Sequence, residues 1–120
     1  MSFTFDNDTP IYLQIIEHIK MQIISGKYDM GDKLPSVREF SADLAVNPNT
    51  VQKALLELES IGLIYTERTN GKFVTNDKKK IAQLKSQTIK DRICKFFESM
   101  QKIGLTKQEI MDVLNDIDEE

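Results

Sequence analysis

Two short amphipathic helical patterns, separated by a four-residue turn, constrain the fold of this chain more than any other feature. The first begins with the capping box Ser36-Val37-Arg38-Glu39. Ala45-Val46-Asn47-Pro48 then predicts a tight turn, because a residue before proline is displaced from the helical region. A second helix is predicted from Asn49, as N-cap, to Gly62, with an apolar face of Val51, Ala54, Leu55, Leu58 and Ile61. Two short helices joined in this way are typical of a helix-turn-helix.

One further helix precedes this pair and a hairpin follows it. Thr9 is a suitable N-cap and Pro10 a suitable first helical residue, and isoleucine then recurs every four residues at Ile11, Ile15, Ile19 and Ile23. Residues 27–35 are predicted to form a loop. After Gly62 the pattern becomes β-like, with strands predicted at 63–68 and 72–75 around Thr69-Asn70-Gly71. Three helices followed by a hairpin predict a winged helix-turn-helix.

The C-terminal third predicts two more helices. A long one covers residues 78–103 and ends at Gly104, and Thr106-Lys107-Gln108-Glu109 is a capping box that starts a shorter one over 106–117. We therefore predict a mainly α protein with a small β-hairpin. Its winged helix-turn-helix domain spans residues 1–76, and a two-helix extension spans residues 77–120.

The charge and the rare residues limit the possible functions. The chain carries 16 Lys and Arg against 19 Asp and Glu, and residues 1–76 have seven against ten. Any DNA affinity must therefore come from a few placed cations. One cysteine and one histidine are too few for a zinc site or a thiol–imidazole enzyme. We predict no catalytic residue, metal or cofactor. The chain has no apolar run of membrane-spanning length and no secretory signal, so we expect a cytoplasmic location.

Several spaced blocks resemble the GntR family of bacterial transcription regulators. These blocks are Leu34-Pro35-Ser36-Val37-Arg38-Glu39, Val46-Asn47-Pro48-Asn49-Thr50-Val51, Ala54-Leu55, Leu58-Glu59, Gly62-Leu63-Ile64 and the Gly71-containing wing. The resemblance begins at Thr9-Pro10-Ile11-Tyr12-Leu13 and covers roughly residues 9–75. The short helical C-terminus is similar to the YtrA-type subfamily, in which about two helices serve in dimerisation. The resemblance implies a dimeric DNA-binding regulator, usually a repressor, often of genes for ATP-driven membrane transporters.

The helix pair and the hairpin suggest which side chains contact DNA. With its apolar face turned inward, the second helix of the pair presents Asn49, Thr50, Gln52 and Lys53 to a major groove. The resemblance implies that Arg38 contacts DNA too. The predicted DNA-binding residues are Ser36, Arg38, Asn49, Thr50, Gln52, Lys53, Arg68, Asn70, Gly71 and Lys72. The alternatives are that Ser36, Asn49 and Gln52 only cap helices, that Arg38 is a solvated surface residue, and that Asn70 and Gly71 only form the turn.

The chain departs from the family pattern at the start of this helix. Many members have arginine at the positions held here by Pro48, Gln52 and Lys53. Fewer cations imply weaker binding per subunit, so adequate affinity should require two subunits on an inverted-repeat operator.

The apolar residues of the C-terminal helices predict a homodimer. The predicted interface residues are Ile89, Ile93, Phe96, Phe97, Met100, Ile103, Ile110, Val113, Leu114 and Ile117. The alternative is packing of these helices within a monomer. Lys78-Lys79-Lys80 either contacts DNA phosphate beside the wing or is a solvated helix start. Cations are unfavourable at a helix N-terminus, which favours a loop or a phosphate contact. Cys94 is expected to be a buried or interfacial small hydrophobe.

Three questions stay open on the sequence alone. A sensing role for His18 or Cys94 is not determined, and a small-molecule effector is possible but unidentified. A winged-helix protein-interaction module without DNA binding is the alternative function, and the net negative charge favours it.

Overall fold

The computed structural model describes residues 4–118 and confirms a mainly helical winged helix-turn-helix with a C-terminal helical region. Its helices and strands, in chain order, are α1 (Ile11–Ile24), α2 (Val37–Leu44), α3 (Pro48–Ser60), β1 (Ile64–Glu67), β2 (Gly71–Val74), α4 (Lys78–Lys102) and α5 (Lys107–Asp118). The chain divides into two compact units, one ending at Leu84 and the other beginning at Lys85.

The core of the first unit lies mainly between α1 and α3. Ile15 and Ile19 on α1 and Val51, Leu55 and Leu58 on α3 are at most 1% exposed. Each such side chain stabilises the fold by roughly 1.5–3 kcal/mol through burial. Two residues expected on these faces lie outside the core, because Ile11 occupies the exposed first turn of α1 and Ile61 is the C-cap of α3.

Two helices begin at residues other than the predicted ones. The N-cap of α1 is Pro10, not Thr9, because the Asp6 carboxylate accepts bonds from the backbone of Asp8 and Thr9 and holds this segment in a turn. The N-cap of α3 is Asn47, not Asn49. Asn47 is extended, as its position before Pro48 favours, and its side chain accepts the Asn49 N–H at 2.8 Å.

Both predicted capping boxes are present. Ser36 Oγ accepts the Glu39 N–H at 3.1 Å, and Glu39 Oε1 accepts the Ser36 N–H at 3.1 Å. Thr106 and Glu109 form the same reciprocal pair at the start of α5, at 3.2 and 3.1 Å. These bonds satisfy backbone donors that a helix leaves unpaired, and they fix where each helix starts.

The wing is a two-stranded antiparallel hairpin with a third segment beside it. Ile64 pairs with Val74 and Glu67 with Gly71, so residues 68–70 form the turn. Residues 31–34, predicted as loop, bond to β2 on its other side: Leu34 N–H donates to Lys72 O at 2.8 Å, and Val74 N–H donates to Asp32 O at 2.9 Å. Gly31 and the following Pro35 are typical of a loop, so the sequence did not predict this short pairing.

Lys78, Lys79 and Lys80 lie in the first turn of α4, which agrees with the predicted helix over residues 78–103 and with a helix start, and not with a loop at these lysines. Asp77 accepts the Lys79 N–H at 3.0 Å, which caps the helix. Lys80 Nζ donates to Ile61 O at 3.4 Å, at the C-terminus of α3, where a cation is favourable. Ile81 and Leu84 pack against the first unit's core, so the compact unit extends beyond residue 76, where we placed the domain boundary.

The second unit leaves most of its large apolar side chains exposed. Exposed residues on α4, on α5 and in the turn between them include Ile89, Ile93, Phe96, Ile103, Met111, Val113, Leu114 and Ile117, at 40–71%. Ile110 is 3% exposed and is already covered in the single chain. Cys94 is exposed in the single chain rather than buried. None of the helices within residues 4–118 is long and apolar enough to cross a membrane.

Candidate nucleic-acid interface

The first turns of α3 present a polar surface, because the opposite face of the helix forms the core. Val51, Ala54, Leu55 and Leu58 are buried, whereas Asn49, Gln52 and Lys53 are exposed and Thr50 is half-buried. Asn47 supplies the cap, so the Asn49 side chain is not needed for that role. The four predicted side chains therefore share one end of one helix.

Lys53 is held against α1 through an aromatic ring. Its Nζ lies 3.9 Å from the centroid of the Tyr12 ring, a cation–π contact that sequence reasoning missed. The sequence shows both residues, but they are about forty positions apart, and only the packing of α1 on α3 brings them together. The contact places the Lys53 charge beside the N-terminal half of α3.

The start of α2 offers one exposed cation and one occupied hydroxyl. Arg38 is exposed, and within residues 4–118 it makes no ion pair. The Ser36 hydroxyl already accepts the Glu39 N–H in the capping box. Arg38 is thus available to an anion, whereas the cap accounts for Ser36.

The wing turn exposes Arg68, Asn70 and Gly71. Asn70 donates to Glu67 twice, through its backbone N–H at 3.1 Å and through Nδ2 at 3.1 Å. Gly71 follows with φ +104°, a conformation that disfavours side-chain-bearing residues. Turn formation therefore accounts for Asn70 and Gly71, and Arg68 remains the exposed cation of the turn.

Lys72, predicted to bind phosphate, is engaged within the protein. Its Nζ lies 3.2 Å from Glu59 Oε2 on α3 and 2.9 Å from Thr66 Oγ1 on β1. Thr66 Oγ1 donates to Glu59 Oε1 at 2.9 Å. The hydrogen bonds from Thr66 and Lys72 lower the pKa of Glu59, so this carboxylate stays ionised at neutral pH.

A cleft of about 360 Å³ separates the start of α2 from the wing. Its lining includes Lys33, Ser36, Glu39, Arg68 and Lys72. Lys33 was not predicted as a site residue, because residues 27–35 were predicted to form a loop without a role in the site. The structure brings its charge beside the wing through the backbone pairing of residues 31–34 with β2.

The other titratable residues that the structure describes give no second site. Partial burial, and then the positive charge of Lys27, lower the pKa of His18 and favour its neutral form. Within the described chain, no group of three His, Cys, Asp or Glu residues is placed to hold a metal ion.

Comparison with known proteins agrees with this geometry. The family described as "Bacterial regulatory proteins, gntR family" matches residues 11–74, which include the helix-turn-helix and the wing. The chain belongs to the GntR family. It is 36% identical over 112 residues to the HTH-type transcriptional repressor YtrA of Bacillus subtilis, an alignment covering 92% of this chain and 86% of YtrA.

Two solved structures extend the comparison. A GntR family transcriptional regulator from Listeria monocytogenes has a TM-score of 0.86 at 43% identity, covering 93% of this chain and 98% of that one. The AraR DNA-binding domain, solved in complex with operator ORX1, has a TM-score of 0.57 at 31% identity, covering 60% of this chain and 93% of that one. This GntR protein is a DNA-binding transcription regulator and not an enzyme.

Proposed function

We propose that this GntR protein is a homodimeric repressor that binds an inverted-repeat operator. The observation that carries the proposal is the exposure of Asn49, Gln52 and Lys53 on the first turns of α3, whose other face is buried. A recognition helix needs this division, because one face must pack on the domain while its N-terminal side chains reach base edges. AraR, whose DNA-binding domain has this fold, binds an operator.

Each exposed side chain suits a particular contact. The Gln52 amide can bond to both N6 and N7 of adenine, and Lys53 can reach guanine or a phosphate. Thr50, near the helix N-terminus, suits a phosphate, since the backbone N–H groups and the helix dipole favour an anion there. Arg38 and Arg68 are the exposed cations for flanking phosphates.

The homodimer is supported by the uncovered apolar face of the second unit. We propose the interface set given above without Ile110, which is buried in the single chain. Charge complementarity favours a second copy as the occupant of this face. Residues 85–102 of α4 carry five basic and two acidic residues, whereas residues 107–117 of α5 carry one basic and three acidic residues. In a two-fold dimer, basic α4 of each subunit can pair with acidic α5 of its partner.

The regulated genes are proposed from the resemblance to YtrA-type repressors. We propose that the protein represses its own operon, that this operon includes a membrane transporter, and that the protein acts in the cytoplasm. The limited number of cations on α3 explains why two half-sites are needed, and the net charge of −3 reduces non-specific DNA binding.

The experiment is selection of fragmented genomic DNA on the purified protein, followed by sequencing of the retained fragments. We expect an inverted repeat, upstream of the protein's own gene. Arg38→Ala and Gln52→Ala should then weaken binding to that site at fixed salt, whereas Lys27→Ala, outside the proposed contacts, should not. No enrichment at low salt would contradict the proposal and favour a protein-interaction module, which pull-down experiments would then test.

A further inference from the structure

One lysine lies on the second strand of the wing and another on the segment paired with that strand, and their environments differ. Lys72 lies on β2 itself, and its side chain is 18% exposed. Lys33 precedes the β2-paired residue Leu34, forms an isolated bridge with Phe73 and is exposed. The two residues carry the same charge on neighbouring segments, so any difference in their roles must come from their contacts.

Lys72 closes a network that joins the recognition helix to both strands of the wing. Glu59 on α3 binds Lys72 through one carboxylate oxygen at 3.2 Å and Thr66 through the other at 2.9 Å, and Lys72 also donates to Thr66. Turning Lys72 toward a phosphate would break two of these three bonds. It would also leave the Glu59 carboxylate without its cation close to a polyanion.

Lys33 lies over the wing turn. Its Cε is 3.3 Å from the place where a β-carbon on Gly71 would lie, so the missing side chain of Gly71 leaves room for it. Within the described residues Lys33 makes no ion pair. It shares the cleft beside α2 with Arg68, the exposed cation of the turn.

Two carboxylates also line this cleft, and neither pairs with a cation of the cleft: Glu39 Oε1 accepts the Ser36 N–H in the capping box, and Glu67 Oε2 accepts Asn70 Nδ2. Among the described residues, Lys33 and Arg68 are the cations of the cleft without an ion pair, so they are the ones available to an anion.

We propose that Lys33 and Arg68 supply the phosphate contacts on the wing side. Lys72, with Glu59, is instead a positioning pair that fixes the wing on the recognition helix. This assignment rests on the proposed DNA binding and differs from the role that the sequence predicted for Lys72.

The test compares two matched variants, Lys33→Gln and Lys72→Gln, on the operator recovered by selection. The quantity measured is the slope of log K against log salt concentration, to which each neutralised phosphate contributes roughly −0.9. We expect Lys33→Gln to make the slope shallower by about that amount. Lys72→Gln should weaken binding without changing the slope. A shallower slope for Lys72→Gln, or an unchanged slope for Lys33→Gln, would overturn the assignment.

Glu59→Gln tests the positioning pair without removing a cation. It is the variant to use if Lys72→Gln does not fold. If Glu59 only repelled DNA, removing its charge would strengthen binding. If Glu59 instead positions the wing, Glu59→Gln should weaken DNA binding several-fold at an unchanged slope. The double variant Glu59→Gln/Lys72→Gln should then bind DNA only slightly more weakly than either single variant. Stronger binding, or additive losses, would overturn the proposed pair.

Hydrogen exchange in the free protein separates this inference from the proposed function. We expect faster exchange of the β2 amides in Glu59→Gln and Lys72→Gln, but not in Lys33→Gln. If the wild type bound no DNA at any salt concentration, the phosphate assignment would fall with the proposed function. The exchange data would still support or overturn the positioning pair.

Discussion

Lys53 Nζ of α3 lies 3.9 Å from the ring centroid of Tyr12 on α1. The exposed ammonium is thus held by a ring that packs partly against the core, so a side chain proposed to contact DNA is fixed before DNA arrives. Such pre-organisation reduces the conformational entropy lost on binding.

Removing the Tyr12 ring should release Lys53. We expect a coupling free energy of about 0.5–1 kcal/mol between Tyr12→Leu and Lys53→Met in a double-mutant cycle measured by urea unfolding. Tyr12→Phe keeps the aromatic face, so the coupling free energy in the Tyr12→Phe/Lys53→Met cycle should be close to zero. Equal coupling free energies in the two cycles would show that the ring face does not hold the lysine.

Gly62→Ala should be more destabilising than Gly26→Ala. Both glycines follow helix C-termini, with φ near +82° and +86°, so both variants lose about 1–2 kcal/mol from the left-handed conformation. At Gly26 a β-carbon meets nothing within 4 Å, whereas at Gly62 it meets the end of Lys80 and displaces it from Ile61 O. We expect an extra loss of up to about 1 kcal/mol in the free energy of unfolding. Equal losses would argue against a role for Lys80 at the end of α3.

Each of the two capping boxes should stabilise its own helix, independently of the other. Ser36→Ala removes the acceptor for the Glu39 N–H and should cost about 1 kcal/mol, because it leaves a backbone donor of α2 without its partner. Thr106→Ala is the matched change at α5. Hydrogen exchange should increase in the first turn of α2 for one variant and of α5 for the other. Increased exchange in both helices with either variant would contradict independent local caps.

Ile93→Glu should convert the proposed dimer to a monomer. Ile93 is 48% exposed in the uncovered face of α4, and burying an unpaired carboxylate in an interface is unfavourable. Ile11→Glu is the control, since Ile11 is 45% exposed on α1, outside the proposed interface. Sedimentation equilibrium should give the mass of a dimer for the wild type and Ile11→Glu, and of a monomer for Ile93→Glu. A dimeric Ile93→Glu would place the interface elsewhere.

Stability should depend on the ionisation of Glu59 at acid pH. The folded-state pKa of Glu59 is lowered, first by the Thr66 hydrogen bond and then by that of Lys72. Its stabilisation is therefore full above the unfolded-state pKa, about 4.3 for glutamate, and is lost as the pH falls through the folded value. The difference in Tm between wild type and Glu59→Gln should be larger at pH 6 than at pH 3. His18 also has a lowered pKa, and comparing these two proteins cancels its contribution. A Tm difference that is independent of pH would contradict an ionised Glu59 in the network.

Local signals in the sequence predicted the elements well. The Ser36–Glu39 and Thr106–Glu109 boxes fix the starts of α2 and α5 because each works within four residues. Gly104, with φ +90°, follows the end of α4, as predicted. The polar start of α3 was also predictable, since the helical period alone separates its buried and exposed residues. The predicted cap of α3, Asn49, was wrong because Asn47 had been assigned to the turn, whereas the extended backbone before Pro48 makes Asn47 the cap.

The sequence by itself determined the winged helix-turn-helix, its family and the residues from which a DNA surface can be built. Only the tertiary structure decided how the cations are used. Lys53 makes a cation–π contact with Tyr12, Lys72 forms an ion pair with Glu59, and Lys33 lies beside Gly71. Such contacts join residues far apart in the chain and depend on packing angles and strand register. Periodicity and capping report which face of an element is buried, but not which distant side chain lies opposite a given charge.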